Sequence, residues 1–236
     1  GSSSINGLLY VRGQPQDYDR WRQLGNVGWA WDDVLPYFRK SEDHHAGPTD
    51  MHGAGGEWKV SKQRLGWEIL RAVQEGAREY GIEPRDDFND GNNEGSGLFE
   101  VNQKAGLRWN TSKAFLRPSM KRPNLRVITE AHTEHLILDG KQISGVAFSR
   151  KGQKFVVNAN CEVLLAAGAI NSPKLLELSG IGRGEVLQGN GIPVQHESVG
   201  VGENLQDHLQ IRTVFKVQNA KTLNTMANSL TGKARI

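Results

Sequence analysis

The sequence predicts a mixed α/β fold of α+β character, and three observations predict it. Two stretches in the first third carry apolar residues at helical spacing, and the period changes to two between Asn124 and Asn158. An apolar run ending at Gly168 then leads straight into a helix signature. A length of 236 residues suits one large domain or two small ones. Hydrophobic residues make up 37% of the chain, mean hydropathy is -0.54, and 28 glycines mark many turns that depend on backbone freedom.

The chain opens GSSSINGLLYVRG. A Gly/Ser tract at a chain start reads as a linker remnant, but here an Asn-Gly bend follows inside an apolar segment, then Arg12-Gly13, Asp17 and Asp19. Gly1, Ser2, Ser3 and Ser4 supply unhindered amides and hydroxyl donors, which can satisfy a pyrophosphate without Lys or Arg.

In WAWDDVLPYFRKSE, Asp32 or Asp33 is placed to cap a helix whose one face carries Val34, Tyr37 and Phe38. In LGWEILRAVQEGAREYG, Trp67, Leu70, Val73, Ala77 and Tyr80 recur near the helical period and Gly81 is the stop. Both helices read as packing elements, and Trp29 and Trp31 as core or interface residues. Between them Asp43, His44, His45 and His52 are potential ligands. Adjacent histidines on a strand or helix point apart, however, and no second pair has ligand spacing, so the stretch reads as a polar surface loop with no metal.

DDFNDGNNEGSGLF is turn chemistry throughout. In GLRWNTSKAFLRPSM, Thr111 or Ser112 suits the N-cap of a short helix ended by Pro118. NLRVITEAHTEHLIL alternates apolar and polar residues as a strand, and SGVAFSRKGQKFVVNANCEVLLAAG holds two more joined at Lys151-Gly152. The run from Val163 is apolar on both faces, as in a covered strand, and Cys161 reads as a buried thiol within it. In AINSPKLLELSGIG, Asn171 or Ser172 caps, Pro173 suits the first helical position and Gly180 stops the helix.

Several function classes are excluded. No run of 18 apolar residues exists, so no helix is expected to span a membrane. A net charge of +3 from 29 basic and 26 acidic residues, mixed along the chain, is unlike the one-sided basic stripe of a nucleic-acid binder. One cysteine allows no internal disulfide, which favours a cytoplasmic or membrane-peripheral setting over a disulfide-rich secreted one; the compartment itself is not read.

GSSSINGLLYVRGQPQDYD resembles the first signature of the glucose-methanol-choline (GMC) family of FAD-dependent oxidoreductases, filled by Gly1, Ser2, Ser3, Ile5, Asn6, Tyr10, Gly13 and Asp19. GAINSPKLLELSGIG resembles the second signature, from Gly168 to Gly182. GLRWNTSKAFLRP, NLRVITEAHTEHL and VGVGENLQDH are similar to the family's connecting stretches, and the choline-dehydrogenase-like branch is closest. The resemblance implies part of an FAD-binding, Rossmann-like domain over residues 1–205, with lid or cap segments, and the start of a truncated substrate-binding domain over 206–236.

It also implies roles. Gly1 and Ser3 would lie along the FAD pyrophosphate, Asn6, Gly7, Leu8 and Leu9 beside the flavin ring, and Thr133 would meet the adenine through its backbone. Members with covalent flavin carry His just before that Asn; Ile5 stands here, so non-covalent FAD is expected. No G-x-G-x-x-G strand-and-turn unit occurs, and the family's catalytic histidine pair is expected beyond Ile236, so the chain reads as a fragment cut at both ends. The implied reaction is oxidation of an alcohol CH-OH group with hydride transfer to flavin N5. The acceptor, oxygen or a quinone, is not read. Two alternatives are an FAD-containing hydroxynitrile lyase of the same fold and an inactive cofactor-binding fragment.

Overall fold

Asp17 and Asp33 start the first two helices by the same device. Each occupies the third helical position and turns its carboxylate back to accept the amide three residues earlier, Gln14 at 2.8 Å and Ala30 at 3.0 Å. Pro15 then opens α1 (Pro15–Gln23), and α2 (Trp31–Ser41) follows. They meet through aromatic rings, with Tyr18 5.2 Å from Trp21, 5.6 Å from Trp31 and 5.8 Å from Phe38. Trp31 is buried as expected, while Trp29 lies exposed on the rim.

The computed structural model describes residues 1–64, 66–228 and 230–233. Spatial packing divides the chain into two units, Gly1–Leu125 with Phe215–Ile236, and Arg126–Val214.

In the first unit β1 (Glu42–His44) leaves α2 directly and pairs in parallel with β2 (Trp58–Val60). Leu9 and Ser61 both bridge to Val101, which ties the opening segment to this core of Val60, Val101 and Ala114. α3 (Glu68–Glu79) ends as its sequence directs: Gly81 takes φ 86 and the Ile82 amide reaches back to Ala77 O at 2.9 Å. None of its residues is buried, so its packing face is less covered than its periodicity implied. The turn-rich stretch holds three successive Asx turns, in which Asp87, Asp90 and Asn92 accept the amides two residues on.

The second unit is an antiparallel meander of β3 (His132–Asp139), β4 (Gln142–Arg150) and β5 (Gln153–Asn158). Lys151 and Gly152, at φ 51 and 78, make the tight turn whose twist suits a hairpin. α4 (Gly168–Leu178) is anchored to the sheet by the buried Ser179, whose hydroxyl donates to Leu175 O and accepts the Leu136 amide at 2.8 Å.

Four local expectations are corrected. The strand begins at His132 rather than Asn124, and Val163–Ala167 forms no strand, with Leu164 82% exposed and Cys161 exposed in a bend. A strand exists only through a partner's ladder, and among the described residues nothing pairs with that run. α4 begins at Gly168, which places Pro173 inside the helix, while Ser172 Oγ accepts the Ala167 amide at 3.1 Å. Asn110, not Thr111 or Ser112, caps the next helical segment by accepting the Lys113 amide at 3.0 Å, and Pro118 lies inside the short helix Arg117–Ser119.

Candidate cofactor turn

Six of the seven residues expected at the cofactor lie in one continuous segment, Gly1–Leu9. Ser2–Ser4 forms a single 3-10 turn in which the Ser4 amide meets Gly1 O and the Ile5 and Asn6 amides meet Ser2 O. The turn would drift if left to itself, since a three-residue helix has almost no internal stability. Residues 100 positions away hold it. Ser3 Oγ meets Thr111 Oγ1 at 3.0 Å and accepts the Thr111 amide, and Asn110 Nδ2 donates to Ser4 Oγ at 3.2 Å. Arg108 donates to Ser3 O, Asn6 Oδ1 and Asn6 O.

Leu8 is the strained point. Its φ of 69 is the left-handed region that a branched side chain normally avoids, at a cost of about 1 kcal/mol or more. It persists because its amide donates to Asn6 Oδ1 at 3.1 Å and its carbonyl accepts the Asn102 amide at 2.9 Å. Gly1, Asn6, Gly7 and Leu9 are exposed, and Ser3 and Leu8 half-buried. A Cβ at Gly1 would meet nothing within 4 Å, and one at Gly7 only Leu9 Cγ at 3.9 Å, so these glycines face open space rather than packed protein. The donor set fits a phosphate-bearing cofactor with a flat apolar ring: first-turn amides without helical partners, hydroxyls, and the apolar edges of Ile5 and Leu9. Thr133 belongs to the other unit, on β3 opposite Phe148.

Next to the turn in sequence, Arg12 leads into a buried ionic cluster. Its side chain donates to Tyr10 Oη at 3.1 Å and Met51 O at 2.6 Å, and pairs with Glu42 at 2.8 Å. Glu42, fully buried, also accepts from His52 Nδ1 at 3.0 Å and the Gly53 amide at 2.7 Å, and His52 Nε2 donates to Asp87 at 2.8 Å. Burial disfavours the His52 charge, but its hydrogen bonds to Asp87 and Glu42 outweigh that and push its pKa up to about 9. Burial likewise raises Glu42 and Asp87, and the His52 partnership, with Gly53 or Asn89 amides, brings both below the usual carboxylate range.

His44 stacks on His52 with centroids 3.9 Å apart and, with His45, hydrogen-bonds Glu100. The polar surface loop expected here is thus corrected to a largely buried cluster. The two adjacent histidines converge because the chain leaves β1 between them, and their side chains no longer alternate as in a strand. Their nitrogens and the Glu100 carboxylate lie within 4.8 Å of one another, a spacing a divalent cation could use. His44 Nδ1 accepts the Ala46 amide, which leaves Nε2 as the donor to Glu100, so these side chains satisfy one another by hydrogen bonds.

A family model described as GMC oxidoreductase matches residues 1–210. The chain belongs to the GMC oxidoreductase family. Two curated relatives are each named oxygen-dependent choline dehydrogenase. That of Sinorhizobium fredii (strain NBRC 101917 / NGR234) is 43% identical over 210 residues, covering 89% of this chain and 38% of the relative. That of Brucella anthropi is 39% identical over 236 residues, covering 100% of this chain and 43% of the relative. Among solved structures, an FAD-dependent oxidoreductase from Chaetomium thermophilum matches with TM-score 0.87 and 30% identity, over 100% of this chain and 43% of that one. The chain therefore spans about two fifths of the length of these relatives. The mixed α/β architecture and the choline-dehydrogenase-like branch are as the two signatures implied, and membership of a flavoprotein family implies FAD.

Among the described residues of this GMC chain, no helix is long and apolar enough to cross a membrane. His208 is fully exposed beside Asp207, which accepts its amide. The residues that hold the opening turn, Arg108, Asn110 and Thr111, carry no sequence signal of that role, because one Arg and two small polar residues have no distinctive spacing.

Proposed function

We propose that the protein oxidises the CH-OH group of a small alcohol, choline being the first candidate, with FAD held without a covalent bond. The observation that carries this reading is the exposed, strained Gly/Ser turn in a chain 43% identical over 210 residues to a choline dehydrogenase. FAD, when bound, supplies the acceptor for the hydride leaving the alcohol carbon.

The chain's own residues bind and orient. Gly1 and Ser3 would hold the pyrophosphate through the open first-turn backbone, since the Ser3 hydroxyl is already engaged by Thr111. Asn6, Gly7, Leu8 and Leu9 would flank the ring, and the backbone of Thr133 would receive the adenine. Ile5 has no nucleophilic atom, which supports non-covalent attachment at this position. Residues 1–205 furnish the cofactor-binding part and 206–236 begin the substrate part. None of the seven histidines here is assigned as the base that takes the hydroxyl proton.

The test is an absorbance scan of the purified full-length protein between about 300 and 600 nm, before and after choline and a panel of primary alcohols. An oxidised flavin spectrum that bleaches with one alcohol is expected; a colourless protein that takes up no FAD would refute the reading. Acid precipitation should leave the yellow colour in the supernatant. Colour retained in the pellet would overturn non-covalent attachment.

A further inference from the structure

We propose that Arg108 is the positioning residue of the cofactor turn, locking Asn6 and through it holding Leu8 in the left-handed backbone on which the turn's shape depends. This inference rests on the FAD reading above. Three acceptors, all within four residues of one another, surround the Arg108 guanidinium. Nη1 donates to Asn6 Oδ1 at 2.7 Å and Ser3 O at 3.2 Å, and Nη2 donates to Asn6 O at 2.8 Å. No ion pair of Arg108 with a carboxylate occurs among the described residues, so its fork is committed to this turn. A planar fork of fixed donors suits that set, and a lysine ammonium cannot reproduce it.

The link to Leu8 runs through one atom. Asn6 Oδ1, held by Arg108, also accepts the Leu8 amide at 3.1 Å. Freed from Arg108, the Asn6 side chain can rotate away, and Leu8 then loses one of the two bonds that offset its unfavourable φ of 69. Arg108 is itself preset. It pairs with Gln103 in a two-residue hairpin whose turn residues, Ala105 and Gly106, are left-handed at φ 51 and 81, and its carbonyl accepts Lys113 Nζ at 2.7 Å. A turn whose strained residue is pinned by a preset cation 100 positions away is preorganised for a ligand.

The experiment uses the full-length protein with Arg108→Met, Arg108→Lys, Leu8→Gly and the double variant R108M/L8G, read in two ways. Amide hydrogen exchange on the FAD-free protein follows residues 2–9 against β3 to β5, and flavin fluorescence quenching gives FAD affinity. Arg108→Met should speed exchange in residues 2–9 and weaken FAD binding by about tenfold or more, the scale of a lost charge-assisted hydrogen bond, with the sheet unchanged. Arg108→Lys should fall between. In the Arg108→Met background Leu8→Gly should recover much of the FAD affinity, because glycine takes this φ without strain.

Exchange and affinity both within twofold of wild type would overturn the proposal. So would weakened binding with no recovery from Leu8→Gly, or faster exchange with unchanged FAD affinity. If Arg108→Met also exposes the sheet, Arg108→Lys decides by the same criteria. A wild-type protein that takes up no flavin refutes the FAD reading and with it the cofactor role, while exchange still reports whether Arg108 holds the turn.

Discussion

His52 presents both ring nitrogens to carboxylates, Nδ1 to Glu42 and Nε2 to Asp87, with its side chain only 3% exposed. Such a ring is held as the cation. Its pKa in the folded protein, about 9, lies above the ordinary 6.5, so the stability it contributes is complete below about 6.5 and is lost as pH rises through about 9. Glu42 and Asp87 are depressed, so their contribution holds above the ordinary carboxylate values and is lost on acidification. Thermal stability should therefore fall from neutral pH toward pH about 9.5, and His52→Gln should flatten that limb while costing about 3 kcal/mol near neutrality by stranding buried carboxylates. Melting curves across pH check this. An alkaline fall just as steep in His52→Gln would show that another group causes it. None of this cluster was legible in SEDHHAGPTDMHGAGG, because burial depends on Arg12, Asp87 and Glu100 arriving from elsewhere.

At the scale of elements, glycines differ by what surrounds them. A Cβ at Gly53 would fall on the Arg39 carbonyl at the end of α2, and one at Gly56 on the Ser41 carbonyl, so the β1–β2 connection passes too close to the helix for any side chain. Gly53→Ala should destabilise the first unit by about 2 kcal/mol or more, because backbone rather than a flexible side chain must move. Gly76, inside α3, meets nothing within 4 Å, and Gly76→Ala should stabilise by about 0.5–1 kcal/mol through helix propensity alone. Urea denaturation of the two variants measures the contrast; equal effects would mean that the close approach at Gly53 is absent in solution. Helices α2 and α3 were legible because their apolar spacing, acidic starts and the Gly81 stop are local features. The Val163–Ala167 run was misread because its apolar character says only that it is meant to be covered, and covering is non-local.

At the scale of the whole molecule, apolar surface is left open in both units. Tyr18, Trp21, Trp29, Val34, Tyr37 and Phe38 line a groove of about 750 Å³ between α1 and α2, and in the other unit Leu209, Ile211 and Val214 are 96%, 82% and 94% exposed. Patches of this kind are normally covered. A polypeptide of these 236 residues should bind a hydrophobic dye strongly and melt broadly. Low dye binding with a sharp melt of the 236-residue polypeptide would refute this.

By itself the sequence determined helices α2, α3 and α4 though not α1, the hairpin turn at Lys151-Gly152 and the family, because caps, periods, left-handed turn residues and two long signatures are written in neighbouring positions. It also offered Gly1–Leu9 as a candidate cofactor segment. Only the tertiary structure decided what holds that turn, since Arg108, Asn110 and Thr111 reach it across more than 100 residues. Only the tertiary structure, again, turned a His-rich loop into a buried charge cluster. Hydrogen bonds and burial between distant segments depend on where the chain brings them, and no local pattern encodes that meeting.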